Sequence, residues 1–164
     1  MSRIPTDSRL IPSILDRLID LEPDRKTEMP ANRTQVLQQM KASVGRDLQS
    51  LLNTRCRATG WPKGLEQLSK SLMAYGIPDC VGINTGSREQ QEVLRRMIQR
   101  AIEAFEPRLM NIQVQLADSN NSADRTLRFR IDAMLRVDPT PEPVAYDSRL
   151  DATMGDFLVK GVRR

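Results

Sequence analysis

The sequence contains no histidine and few aromatic residues. Histidine is absent from the 164 residues, and Trp, Tyr and Phe together make up 4% of them. The two cysteines, Cys56 and Cys80, are too few for a zinc site without histidine, so we expect no metal or other cofactor and two free thiols in a reducing compartment. The scarcity of aromatic side chains also disfavours sugar grooves and base-stacking nucleic-acid surfaces.

The chain also lacks a long hydrophobic run. No segment approaches the roughly 18 apolar residues that a membrane-spanning helix requires, and the N-terminal stretch MSRIPTDSRLIPSILDRL has no uninterrupted apolar core of the signal-peptide type. These absences predict a cytoplasmic protein. Lys and Arg total 25 and Asp and Glu total 21, a net charge of +4. That mild excess favours an acidic partner surface without indicating a nucleic-acid binder.

The N-terminal region has an organisation distinct from the rest of the chain. Apolar residues recur at helical spacing over residues 8–21 and predict a short amphipathic helix. Residues 22–33 contain two prolines and a run of charges, which predicts a linker before a main domain over residues 34–164. The first helix either folds back on that domain or docks on a partner, and the sequence leaves both open. The apolar side chains singled out for docking are Ile14, Leu15 and Leu18.

The main domain is predicted to begin with two helices separated by a break. Thr34 is a candidate cap for a helix whose apolar stripe extends to about Arg57. After the stretch TGWPKG, leucines at helical spacing over residues 65–72 predict a shorter helix. Gly76 can end that helix in a left-handed conformation.

A third helix in this domain has the clearest periodicity. Ser87 and Gln90 form a candidate capping box at its start. The helix is predicted to end at about Phe105, because Pro107 disfavours the helical conformation for Glu106.

Beyond this proline the apolar period changes from 3.6 to 2. Alternation over residues 112–116 and again over residues 127–137 predicts two antiparallel strands joined by a turn-rich segment. A further short strand over residues 144–147 follows the segment DPTPEP, whose prolines are expected to keep it out of a sheet. The predicted fold class is therefore α+β, with N-terminal helices packed on one face of a small, mainly antiparallel sheet.

The helix-to-strand corner carries the first candidate site. Glu106 and Arg108 flank Pro107 and suggest an ion pair, either exposed and weak or part of a joint between subunits. The alternative is a hydrolase in which Glu103 and Glu106 are the two carboxylates. No phosphate-binding glycine loop, nucleophile elbow or metal-ligand cluster accompanies them, so no small-molecule substrate is indicated.

The second candidate site is the polar face of the longer predicted strand. Arg128, Arg130 and Arg136 lie on one side of it, and the other side is apolar. This face is either ordinary solvated surface, a weak candidate for nucleic-acid contact, or part of a sheet edge that pairs with a strand from an acidic partner.

Six stretches in order resemble a known family. They are SILDRLID, DLQSLLNTR, SLMAYGIPD, AIEAFEPRL, LRFRIDAML and VAYDSRLD, and together they extend from Ser13 to Asp151. The chain is similar in these stretches to the TssE baseplate subunits of type VI secretion systems, which resemble the lysozyme-like wedge protein of contractile phage baseplates.

The resemblance implies a non-enzymatic role in a large hetero-oligomeric complex. It implies wedge partners TssF, TssG and TssK, contact with the TssB–TssC sheath through intermolecular strand pairing, and a baseplate docked on the inner-membrane complex. The Glu-Pro-Arg motif, here Glu106, Pro107 and Arg108, is expected to be structural. Peptidoglycan hydrolysis through Glu106 is the alternative, and nucleic acid is not an expected partner.

Overall fold

The computed structural model describes residues 10–19, 24, 32–56, 64–65, 67–68, 71–81, 83–84, 86–117 and 126–162. Its helices are α1 (Ile14–Leu18), α2 (Arg33–Asn53) and α3 (Arg88–Phe105), and its strands are β1 (Leu109–Ala117), β2 (Thr126–Leu135), β3 (Glu142–Asp151) and β4 (Asp156–Gly161). The strands form one antiparallel sheet in the order β1-β2-β3-β4. Because α2 packs against β4 and α3 against β1, the predicted α+β class is confirmed. None of the described helices is long and apolar enough to cross a membrane.

The core lies between the two long helices and one face of the sheet. Alternate residues of β2 are buried, as period 2 requires, and Ile131 pairs with Tyr146 of β3. Tyr146 crosses the core to donate a hydrogen bond from its hydroxyl to the Lys41 carbonyl at 3.0 Å. Gly45 allows this close packing, because a Cβ there would lie 3.3 Å from the Tyr146 ring. The two described cysteines are free, and Cys80 is buried.

The starts of α2 and α3 differ in how well their caps were predicted. The prediction that Thr34 caps α2 is wrong, because Asn32 is the cap and its N–H donates to Gln35 Oε1 at 2.9 Å. The predicted end at about Arg57 is also too late, since α2 ends at Asn53. In α3 the predicted start is confirmed, with the Ser87 hydroxyl accepting from the Gln90 N–H at 3.4 Å, but the Gln90 side chain accepts from the Asn84 N–H at 2.8 Å and does not complete the predicted capping box.

The segment between α2 and α3 departs from the predicted helix over residues 65–72. Its described part contains a 3₁₀ turn at Leu72–Ala74, and residues 66, 69 and 70 lie outside the described residues. The side chains of Leu65 and Leu72 are exposed, so they form no buried stripe. Gly76 does have the predicted left-handed backbone, with φ of 105°. The chain then returns to α2 through a parallel bridge between Arg55 and Ile77.

The sheet contains more strand than the sequence pattern predicted. β1 and β2 occur where alternation placed them. β3 is longer than residues 144–147, and the expectation that DPTPEP stays outside the sheet is wrong, because Pro143 lies in β3 opposite Met134. β4 was not predicted. Its short pattern is interrupted by Leu158, an apolar residue whose side chain is exposed.

The N-terminal helix is shorter than the predicted span of residues 8–21. Among residues 10–19 only Ile14–Leu18 are helical, and residues 8–9 and 20–21 lie outside the described residues. Leu10, just before this turn, is 8% exposed and belongs to the core. The segment therefore folds back on its own domain. Most of the predicted linker, residues 22–33, falls outside the description.

Candidate interaction site

Pro107 sets the geometry of the corner between α3 and β1. Glu106 leaves the helical conformation, with φ of −120° and ψ of 80°, as expected for a residue before proline. Its N–H still donates to the Ile102 carbonyl at 2.9 Å, and its own carbonyl accepts from Leu109 at 3.2 Å. The corner is thus a tight turn that places the side chains of Glu106 and Arg108 on the same side.

Arg108 joins this corner to α2. Its guanidinium donates to both Glu106 oxygens, at 2.7 and 2.6 Å, and to Asp47 Oδ2 at 2.6 Å. Glu106 is only 5% exposed, so the pair lies largely out of water. The hydrogen bonds to Glu106 are the main reason why the pKa of Arg108 is raised above its ordinary value. The predicted ion pair is therefore internal to this chain and partly buried.

The same network extends to α1. Arg46 Nη2 donates to Asp16 Oδ1 at 2.9 Å and Arg46 Nε donates to Asp47 Oδ1 at 3.0 Å, while Arg108 Nη1 lies 4.0 Å from Asp16 Oδ2. Burial is the largest influence on Asp16 and raises its pKa, but the hydrogen bonds from Ser13 and Arg46 outweigh it and hold the pKa below its ordinary value. We refer to five of these residues as the corner cluster: Asp16, Arg46, Asp47, Glu106 and Arg108.

Because its polar side binds the corner cluster, α1 presents its apolar side to solvent. Ile14 and Leu18 are 77% and 76% exposed, and Leu15 is also exposed. We refer to the exposed aliphatic side chains of this segment as the outward aliphatic face; they are Ile11, Ile14, Leu15, Leu18 and Ile19. An amphipathic segment that buries its charge and exposes its aliphatics is typical of a binding surface.

The predicted arginines lie on the outer face of β2 or just past its end, and β2 is an interior strand between β1 and β3, so the expectation that they lie at a sheet edge is wrong. Arg128 is exposed and lies directly opposite Arg149 of β3, a like-charge arrangement that costs stability unless a partner offsets it. Arg130 pairs with Asp132 at 3.2 Å. Arg136 is exposed and follows the end of β2, where its N–H donates to the Arg108 carbonyl at 2.8 Å.

The sheet has two edge strands, and side chains of the helices bind the outer edge of each. On β4, the Phe157 N–H donates to Asn53 Oδ1 at 2.7 Å and Asn53 Nδ2 donates to the Phe157 carbonyl at 2.9 Å. The Val159 N–H donates to Gln49 Oε1 at 3.2 Å. On β1, the Val114 carbonyl accepts from a guanidinium of α3 at 3.2 Å.

Sequence reasoning identified the corner and the arginines but not their partners. It missed Arg46 and Asp47 of the corner cluster and the edge-binding residues Gln49 and Asn53. Asp47 and Asn53 both fall within the DLQSLLNTR stretch, which was the one signal that this helix carries more than a core stripe.

The hydrolase alternative finds little support in this geometry. Both Glu106 oxygens accept from Arg108, so neither is directed at a substrate. Glu103 is exposed and accepts a hydrogen bond from Gln99 at 2.9 Å. A groove of about 550 Å³ lies between α2 and β4, and the residues that line it carry no carboxylate. They are Gly45, Arg46, Gln49, Ser50, Asn53, Thr54 and Val159.

An exposed aliphatic segment and two edge strands with one strand neighbour each are typical of proteins that assemble with other subunits. A family model described as Baseplate wedge protein gp25 matches residues 38–140, more than half of the chain. The chain belongs to that family, and it is therefore a component of a phage-tail-like, multi-subunit baseplate. Searches of curated proteins and of solved structures found no match.

Proposed function

We propose that the protein is a TssE-type wedge subunit of a type VI secretion system. It links the wedge subunits TssF, TssG and TssK to the first ring of the TssB–TssC sheath, and it templates the sheath by pairing main chain at a sheet edge with a sheath strand. It acts in the cytoplasm, at a baseplate docked on the inner-membrane complex. Its role is adhesion between subunits, without an enzymatic step.

The observation that carries this proposal is the open sheet. The strand order β1-β2-β3-β4 leaves β1 and β4 with one strand neighbour each, so either could extend into a second molecule. The exposed Arg149 of β3 lies opposite Leu158 of β4, and the exposed Arg128 lies one strand further from this edge. Their positive charge on the outer face favours an acidic sheath surface.

A second surface serves the wedge. The outward aliphatic face lies next to the corner cluster, so wedge subunits that bury the aliphatics would also contact the Glu106–Arg108 turn. Burial of several aliphatic side chains would supply affinity, and the charged cluster would fix the orientation.

The test replaces exposed aliphatics with a charge. Ile14→Glu and Leu18→Glu each change a side chain that is about three-quarters exposed, so the fold should be unaffected. We expect co-purification with TssF and TssG from cells to fall at least tenfold, since burying a carboxylate in an apolar interface is costly. Val93→Glu, at an exposed aliphatic of α3, is the matched control and should co-purify normally.

A companion measurement addresses the sheath. TssB–TssC assembly should fail in cells that lack this subunit and recover when the full chain is supplied. If both glutamate variants co-purified like the control and the sheath assembled without the subunit, the proposed function would be wrong.

A further inference from the structure

The outward side of β4 carries a pattern that neither the family nor the proposed function explains. Phe157 and Val159 turn their side chains into the core, and their main-chain groups bind side chains of α2. In an antiparallel edge strand, alternate residues direct their N–H and C=O groups away from the sheet. These are the groups that a fifth strand would bind.

Asn53 substitutes for a residue of that missing strand. Its side-chain amide has one carbonyl oxygen and one NH₂ group, so it can both accept from and donate to a single main-chain residue. It does both to Phe157, at 2.7 and 2.9 Å. A residue of a neighbouring strand in a hydrogen-bonded pair would exchange the same two bonds.

The spacing of α2 matches the spacing of β4. Gln49 and Asn53 are four residues apart on a helix, a rise of about 6 Å, and Val159 and Phe157 are two residues apart on a strand, about 6.7 Å. The helix and the strand run in opposite directions, so the series continues at residues 45 and 161. Both of those residues are glycines, and the ladder of side chains stops there.

An open groove lies alongside this edge. The groove of about 550 Å³ is bounded by α2 on one side and by Val159 on the other, and Gln49 and Asn53 both line it. Asn53 is exposed and Gln49 is partly exposed, so either amide can turn into water and keep its hydrogen bonding.

The other edge strand is less suited to pairing. Arg95 is the residue that binds the Val114 carbonyl of β1. Its guanidinium also donates to both Glu92 carboxylate oxygens, at 2.7 and 2.8 Å, and to Gln99 Oε1 at 2.8 Å, so its position is held by α3. The register of β1 shifts between Met110 and Gln113, an irregularity that hinders pairing at an edge.

We propose that β4 is the edge that accepts a foreign strand, and that Gln49 and Asn53 form a displaceable amide latch over it. The occupant is an extended main-chain segment of a sheath subunit, so this inference rests on the proposed function. The latch keeps the outward groups of β4 hydrogen-bonded in the free protein and makes strand entry compete with α2. It thereby limits pairing with unrelated strands.

The test measures binding of the purified full-length chain to purified TssB–TssC. Removing one latch amide removes a competitor. Gln49→Ala loses one hydrogen bond to β4 and should bind roughly two- to tenfold more tightly than the wild type, the factor set by one net hydrogen bond. Asn53→Ala loses two such bonds and should bind at least as tightly as Gln49→Ala. Ser50→Ala changes another side chain lining the same groove and should leave affinity unchanged. Circular dichroism checks the fold of each variant, and Gln49→Ala, which removes a single bond, carries the test if Asn53→Ala unfolds.

Hydrogen exchange locates the paired edge. Peptides from residues 156–161 should gain protection when TssB–TssC binds, and in the free protein they should exchange faster in Asn53→Ala than in the wild type. Unchanged or weaker binding by the folded variants, or protection gained on β1 instead of β4, would overturn the latch while the proposed function stands. Failure of the wild-type chain to bind TssB–TssC would overturn both.

Discussion

At the scale of single residues, Arg108 has the greatest consequence for stability. It binds Glu106 and Asp47 at once, and Glu106 has little access to water. Arg108→Ala leaves the nearly buried Glu106 carboxylate without its guanidinium partner. We expect the free energy of unfolding to fall by about 2–3 kcal/mol. This is less than for a fully buried pair, because the Arg108 side chain is about one-quarter exposed. Urea denaturation measures this change.

Two comparisons make the arginine prediction specific. In Glu106→Gln, Arg108 still has a hydrogen-bond acceptor at residue 106 and still binds Asp47. This variant should therefore lose clearly less free energy of unfolding than Arg108→Ala. Arg136→Ala removes an exposed neighbouring arginine and should stay within about 0.5 kcal/mol of the wild type. A loss in Arg136→Ala as large as that in Arg108→Ala would contradict the assignment.

Gly76 and Gly64 offer a matched pair for backbone strain. Their φ angles are 105° and 102°, but an added Cβ would lie 2.3 Å from the Thr54 carbonyl oxygen at Gly76 and within 4 Å of no other group at Gly64. Gly64→Ala should therefore cost about 1–2 kcal/mol from conformation alone, and Gly76→Ala at least about 1 kcal/mol more. Thermal unfolding of the two variants compares them, and equal midpoints would show that the contact with Thr54 relaxes.

The sequence predicted the individual corner residues better than their contacts. Pro107 acts on its immediate neighbour, so the end of α3 follows from local chemistry. Arg108 and Asp47 are 61 residues apart, and Asn53 and Phe157 are 104 apart. Hydrogen bonds across such separations depend on the packed arrangement, and local periodicity carries no information about them.

At the scale of elements, α1 depends on a charge that acid removes. The pKa of Asp16 is lower in the folded chain than its ordinary value, so its stabilising effect is complete above about pH 5 and is lost as the pH falls through the folded pKa. An NMR titration from pH 7 to pH 3 should show the amides of Ile14–Leu18 moving toward unstructured positions only at the acid end.

Asp16→Asn is the control for this titration, because an amide forms no ion pair with Arg46. The two proteins differ only at this side chain, so the difference between their titrations isolates the contribution of Asp16. We expect the variant to have a weakly docked α1 at every pH. Identical titrations of the two proteins would contradict the role given to this carboxylate.

Elements were predictable to the extent that their burial pattern was regular. α3 and β2 each have one face in the core, and both were found at the expected places. α1 was predicted too long because its aliphatic residues face solvent. An apolar stripe at helical spacing stabilises a helix only when it is buried. The strand β4 escaped prediction because its six residues include Leu158, an apolar residue on the outer face.

At the scale of the whole molecule, the described part of the chain provides interaction surfaces, and its Glu106 carboxylate is bound on both oxygens by Arg108. The purified chain should leave the turbidity of a peptidoglycan suspension unchanged, because the Glu106 oxygens are bound by Arg108 and the groove beside α2 has no carboxylate lining. Clearing by the wild type that disappears in Glu106→Gln would instead establish hydrolysis. Egg-white lysozyme serves as the positive control.

The outward aliphatic face affects how the isolated protein behaves in concentrated salt. High ionic strength screens the bond between Asp16 and Arg46, and salts such as sulfate strengthen association between exposed aliphatic side chains. Both effects act on the same short segment. Ammonium sulfate should therefore drive the free subunit to self-associate, and the subunit should remain dispersed at low salt or when produced together with the wedge subunits proposed to cover the segment.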